Sequence, residues 1–139
     1  MSTITRAIED LLKEHTSGYD INRNPRRNSD PNAASRGKGW IGIYKGPWDM
    51  AKHTTTRFKN EVNPQIEIQV CNLESGDKAE DDLEASVNEI LTLLSGPHGR
   101  NLSGTIGQTT GYKVEYDINR ATDAYFYSAT ITIKGEVLA

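Results

Sequence analysis

Gln65-Ile66-Glu67-Ile68-Gln69-Val70-Cys71 is the stretch on which the fold turns. Successive side chains of an extended strand point to opposite faces, so Ile66, Ile68 and Val70 share one side and Gln65, Glu67, Gln69 and Cys71 the other. Such a strand belongs to a sheet with one buried face and one comparatively polar face, the pattern of an antiparallel sheet covered on one side. The extended reading runs backward to Phe58 and forward to Asn72. Trp40-Ile41-Gly42-Ile43-Tyr44 predicts a shorter strand that ends at Gly46-Pro47, with Trp48 to Thr56 read as a connection.

Two helices supply the cover. Leu83, Val87, Ile90, Leu91 and Leu94 form one apolar stripe at helical spacing, and Asp77-Lys78-Ala79-Glu80 has the form of a capping box with Asp at the start. Gly96-Pro97 stops this helix, predicted over 77–95. Its outer face and first turn carry Glu80, Asp81, Asp82, Glu84 and Glu89. Near the N-terminus, Ile4, Ala7, Ile8, Leu11 and Leu12 predict an amphipathic helix over 3–16, with Ser2 or Thr3 as its cap and Gly18 as its stop. Tyr19 to Asn22 reads as a short strand, Leu102 to Gly107 as another, Tyr112 to Ile118 as a third and Tyr125 to Val137 as the last. Asn119 to Asp123 joins these last two as a hairpin. The order helix, strands, helix, strands is that of an α+β domain, with a small mainly antiparallel or mixed sheet and both helices packed on one face.

One segment stands apart. Residues 23 to 39 hold two prolines, two glycines and several Asn and Ser. They also carry five cations (Arg23, Arg26, Arg27, Arg36 and Lys38) against the one anion Asp30. That composition cannot build a core, so 23–39 reads as a flexible loop within a single domain, 1–139. A structureless loop of roughly 17 residues inside a compact domain is uncommon and is often a binding element. Its cations suit phosphate or an acidic protein surface, and the acidic helix of a neighbouring copy is one such surface. Trp48, just after Gly46-Pro47, is a further interface candidate, whereas Trp40 is assigned to the core. A pentapeptide, Tyr19-Asp20-Ile21-Asn22-Arg23, recurs as Tyr116-Asp117-Ile118-Asn119-Arg120. The flanks differ, so it reads as coincidence or shared strand-exit chemistry rather than duplication.

Composition narrows the function. At 139 residues the chain has the length of one domain. Apolar residues make up 35% and charged residues 25%. With Gly counted and Tyr left out, the apolar share is roughly 40%, below the ~45–50% of an average globular domain. Some part of the chain therefore stands outside the core. The net charge of −3 argues against nucleic-acid binding through bulk positive charge. No segment approaches the ~18 apolar residues of a membrane span, and a protein of a reducing cytoplasm is expected. With one cysteine, Cys71, neither an intramolecular disulfide nor a Cys-cluster metal site forms. His15, His53 and His98 are scattered without a second ligand type at metal spacing. Asp81, Asp82 and Glu84 read first as a solvated acidic face rather than an acid–base pair. Gly37-Lys38-Gly39 and Gly104-Thr105-Ile106-Gly107 lack the strand before and helix after that a phosphate loop needs. The reading is non-enzymatic, with no catalytic residues, cofactor or metal.

The order of elements carries a resemblance. An N-terminal amphipathic helix, strands and a long loop lead to Ile66-Glu67-Ile68-Gln69-Val70, an acidic connection and the helix around Leu83 to Leu94. Arg100-Asn101-Leu102-Ser103-Gly104-Thr105-Ile106 and a terminal hairpin ending Ala129-Thr130-Ile131-Thr132-Ile133 follow. Over nearly the whole chain this resembles the tail terminator (tail completion) proteins of long-tailed bacteriophages. The resemblance implies a structural virion protein, made in the host bacterial cytoplasm. Such a protein caps the tail tube as a homo-oligomeric ring, typically hexameric, ends tube polymerisation and forms the head-joining surface. Its implied partners are its own copies, the tail tube protein and a head completion or connector protein, with DNA met only in passage through the lumen and no membrane. Arg23, Arg26, Arg27, Arg36, Lys38, Trp48, Asp81, Asp82 and Glu84 are the candidate interface residues. The alternatives are another head-to-tail connector or completion protein, a small nucleic-acid-binding module using the basic loop, and a small enzyme with a pocket invisible to sequence.

Overall fold

The computed structural model describes residues 4–24, 39–46, 48–52, 58–72, 76–97, 99, 108–121 and 124–138. Two helices, α1 (Ile4–His15) and α2 (Gly76–Ser95), accompany seven strands: β1 (Tyr19–Arg23), β2 (Gly39–Tyr44), β3 (Trp48–Lys52), β4 (Phe58–Val62), β5 (Gln65–Asn72), β6 (Gln108–Ala121) and β7 (Ala124–Leu138). All seven strands belong to one mixed sheet. β1 and β2 run parallel, and every other pairing is antiparallel. The expected α+β architecture is the one observed.

β7 is the spine. One of its edges pairs along almost its whole length with β6, from Ala124 opposite Ala121 to Glu136 opposite Gln108. Its other edge takes β5 between Tyr125 and Thr132 and then β4 between Gly135 and Leu138. Val62 faces Gly135 and Gln65 faces Thr132, three residues apart on each strand, so one register runs through the break between β4 and β5. Pro64 causes that break because it has no N–H to donate. Its carbonyl still accepts from the Ile133 N–H at 2.9 Å, which keeps the ladder aligned. The extended stretch predicted over 58–72 is thus two strands in a single line.

The neighbouring strand breaks at the same level. Between Tyr44 opposite Gln65 and Trp48 opposite Val62, β2 and β3 use four steps against three, which is one extra residue. Gly46 lies in this bulge at φ 70°, and a Cβ there would collide with the Asn63 carbonyl oxygen. Both the backbone angle and the space therefore require glycine. The segment from Trp48 read as a connection is instead the strand β3, and its pairing with β4 explains why. Its apolar alternation is confined to Trp48, Asp49 and Met50, and its extended form is set by its pairing with β4.

The predicted stripes build the core. Ala7, Ile8, Leu11 and Leu12 of α1 and Leu83, Val87, Ile90 and Leu94 of α2 meet Ile41, Ile43, Val62, Ile66, Ile68, Val70, Ala129, Ile131 and Ile133 in one cluster. Both helices therefore lie on the same face of the sheet, α1 over β1 and β2 and α2 over β5 and β7. Leu91, assigned to the inward stripe of α2, is only half-buried at its edge. The α1 end is held by the Thr16 N–H, which reaches the Leu12 carbonyl at 2.9 Å.

Trp40 is buried, as expected, but not beneath the helices. It is 5% exposed, as a core residue would be. Yet it alternates with Ile41 and Ile43, so its ring lies on the face away from the helices. A Cβ on Gly42 would come within 2.7 Å of the Trp40 ring, so the indole occupies the space above that glycine. Gln69, Ser128 and Thr132 are also buried on this second face. Gln69 Nε2 there donates to Glu67 Oε1 at 2.9 Å.

Tyr19 ties the edge strand β1 to α2. Burial chiefly raises its hydroxyl pKa, a hydrogen bond with Ser86 lowers it, and the Glu89 carboxylate raises it. Folded Tyr19 thus holds its proton to higher pH than the unfolded residue, which ionises near 10. That contribution to stability is complete below about pH 10 and is lost as pH rises through the folded value. The thermal midpoint is therefore expected to fall on titration from about pH 8 to about pH 11, and Tyr19→Phe to flatten part of that fall. A separate substitution, Ile131→Ala, removes a fully buried side chain from the middle of β7. It is expected to cost about 2–5 kcal/mol in urea denaturation. A cost below about 1 kcal/mol would show that the β7 spine is misplaced.

Candidate subunit interface

The helix layer is narrower than the sheet. α2 reaches β5 and β7, whereas β6 lies one strand further out and carries Tyr112, Val114 and Tyr116 on the helix side. At one end β6 is fastened: Tyr112 Oη donates to the Leu94 carbonyl at 3.2 Å, satisfying one of the free carbonyls of the helix C-terminus. Partial burial raises the Tyr112 hydroxyl pKa. Toward the other end the cover thins. Val114 is half-buried, and Tyr116 is 57% exposed, the one exposed large apolar side chain among the described residues.

Between the start of α2 and this end of β6 runs a groove of about 190 Å³ lined by Glu80, Leu83, Glu84, Tyr116, Asp117 and Tyr127. Glu80 and Glu84 are one helical turn apart, so both stand on the same side of α2. Leu83 belongs to the core stripe and Tyr127 packs against the core, which makes the floor apolar. Asp81 and Asp82 are exposed on the same helix but do not line the groove. An apolar floor with three carboxylates around it, Glu80 and Glu84 on the helix and Asp117 on β6, suits a side chain that is flat or greasy along its stem and positive at its tip, which describes arginine.

The other sequence candidates are dispersed. Arg23, which the composition places at the start of the loop, instead closes β1 opposite Ile43, and the Asn24 N–H follows with a 2.7 Å bond to the Ile43 carbonyl. Gly39, read as the last residue of the loop, opens β2. Arg26, Arg27, Arg36 and Lys38 lie outside the described residues, as do His53, His98 and the strand read at 102–107. Trp48 begins β3 opposite Val62, far along the sheet from the groove. Cys71 lies in β5 opposite Phe126. His15 is exposed at the last turn of α1. Among the described residues no group of three His, Cys, Asp or Glu side chains is placed to hold a metal ion, and no helix is long and apolar enough to cross a membrane.

Sequence reading therefore named Glu84 but missed the tyrosines beside it. Tyr116 and Tyr127 come together with Glu80 only because β6 and β7 pair in one register under α2, which periodicity within a segment does not encode. The repeated pentapeptide was the available signal, since it marks Tyr116 as the start of a stretch also present at Tyr19.

No family model and no curated protein matches the chain. Among solved structures, a chain described as "Virion of native gene transfer agent (GTA) particle" is similar over 91% of this chain and 84% of that one, with 11% identity and a TM-score of 0.38.

Proposed function

We propose that this protein is a non-enzymatic structural component of a phage-like virion, which closes the end of the tail tube as a ring and presents the surface that joins the head. The observation that carries this reading is the groove beside Tyr116. At about 190 Å³ it is smaller than the ~300–1,000 Å³ pockets that hold small-molecule substrates. It is open along a sheet edge and rimmed by charge, as a docking place for another protein chain is. The observed order of a helix, a β-x-β-x-β strand, a helix and a long terminal hairpin agrees with the order on which the resemblance to tail terminators rests.

In this role the copies meet head to tail, one face of each subunit against a different face of the next, which is the arrangement that closes into a ring. The cations of the 23–39 stretch and the carboxylates of α2 are the opposite charges such a contact would bring together. Exposed charge pairs guide and orient association more than they strengthen it, and salt screens them.

Tails assembled without this protein are expected to have over-long or uneven tubes by electron microscopy, and adding it back should restore a uniform length. Tubes of normal length in its absence would overturn the tail-terminating role. Replacing Arg26, Arg27 and Arg36 by Ser is expected to leave stability within ~0.5 kcal/mol while weakening assembly. High salt should mimic that loss in the unmodified protein. Assembly unaffected by either change would show that this charge is incidental.

A further inference from the structure

We infer that copies of this chain join by continuing one another's sheet, with the β1 edge of one copy adding to the β6 edge of the next through the two Tyr-Asp-Ile-Asn-Arg segments. The inference deepens the ring reading above by naming its interface. It starts from where the repeat falls. Residues 19–23 are the whole of β1, and residues 116–120 lie in β6. These two strands are the opposite margins of the sheet: among the described residues β1 pairs only with β2, and β6 only with β7. The same five residues thus stand on both lateral edges of one molecule.

Strand directions make the joint possible. β1 and β2 point the same way, β5 the reverse, β7 back again and β6 the reverse of β7. A copy placed beside β6 with its helices on the same face therefore offers β1 antiparallel to β6. In an antiparallel pairing of the two segments, Tyr19 falls opposite Arg120, Asp20 opposite Asn119, Ile21 opposite Ile118, Asn22 opposite Asp117 and Arg23 opposite Tyr116. Each polar residue meets a partner of complementary chemistry, and isoleucine meets isoleucine at the centre, the kind of cross-strand pairing that stabilises sheets. In this register Arg23 comes beside the exposed Tyr116 ring and the Glu80 and Glu84 carboxylates, where a guanidinium can stack on the one and bond the others.

Two further features fit. β6 is 14 residues long, well beyond the ~5–6 of an ordinary strand, and its register with β7 is unbroken from Gly111 to Ala121. A long edge of that kind is a template for pairing with another chain. The helix layer also stops short over β6, and α1 rides on β1 and β2. A copy that brings its β1 to β6 brings its α1 too, and α1 then stands over the open side of the groove. The contact joins two different edges, so it leaves one of each free and repeats until a ring closes.

Oxidative cross-linking in purified protein tests this without any tail. Opposed residues of antiparallel strands have Cα atoms ~4.5–5.5 Å apart, within disulfide range. Within one copy, positions 21 and 118 are four strand spacings apart, roughly 19 Å, so no internal bridge forms. In a Cys71→Ser background, the chain carrying both Ile21→Cys and Ile118→Cys is expected to give a ladder of covalent multimers, and each single variant only monomer. Dimers from Ile118→Cys alone would mean that two β6 edges pair about a two-fold axis, which overturns the inference. Monomer from the double variant would also overturn it, whether sedimentation shows an oligomer or not, because oxidation traps even brief encounters. Arg23→Glu is expected to weaken self-association by on the order of tenfold, and Glu84→Arg in the same chain to restore part of it. A ladder from a protein that leaves tail length unchanged would retain this interface while removing the tail-terminating role.

Discussion

The pairing of β7 on both of its edges is the constraint from which the rest of the molecule follows. One edge holds β5 and β4 in a single register and the other holds β6, so residues 125–132 and 135–136 of β7 are paired on both sides. Side chains of β7 then alternate without slippage, and a one-residue shift would send Ala129, Ile131 and Ile133 to the polar face. Those three residues are the floor on which α2 sits. Pro64 interrupts one flanking line without altering its register, because the Ile133 N–H still finds a carbonyl there. On the next line out the interruption is taken up by the Gly46 bulge.

The width of the helix layer is the second constraint. Among the described residues two helices cover β1, β2, β5 and β7, and the outermost strand β6 meets the flank of α2. Its contact with that flank is uneven: bonded at Tyr112 and open at Tyr116. The candidate site is therefore a product of coverage rather than of a loop. It is built on a helix and a ribbon that are held by the core, so its geometry exists before any partner arrives, which lowers the cost of binding.

Much of this was legible in the sequence, for a physical reason. The stripes of α1 and α2 and the alternation of Ile66, Ile68 and Val70 are local patterns imposed by a single buried face, and such patterns survive in any order of strands. β3 was not legible because the alternation of Trp48, Asp49 and Met50 ends at Ala51, too short a pattern to mark a strand without its pairing to β4. Trp40 was read as buried, correctly, but its side of the sheet depends on alternation with Ile41 and Ile43 rather than on its own apolarity. The groove depended on register between segments more than thirty residues apart: Glu80 and Glu84 are on a helix, Tyr116 on a distant strand. The carboxylates alone looked like any solvated helix face, and nothing short of the assembled sheet distinguishes Glu84 from Asp82.

The place of β7 in the chain has a consequence for synthesis. A ribosome delivers β1 to β6 before the strand that binds β4, β5 and β6 together, so until then the chain can form only the partial sheets β1-β2-β5 and β3-β4. The isoleucines of β5 have Ile41 and Ile43 on one side but lack Ala129 and Ile131 on the other until β7 has emerged. Completion of the fold and appearance of both lateral edges in their final spacing are then a single late event. A chain cut short before Ala124 has the amphipathic helices and most of the strands but no spine, and is a substrate for proteases and chaperones rather than a faulty building block that could be incorporated.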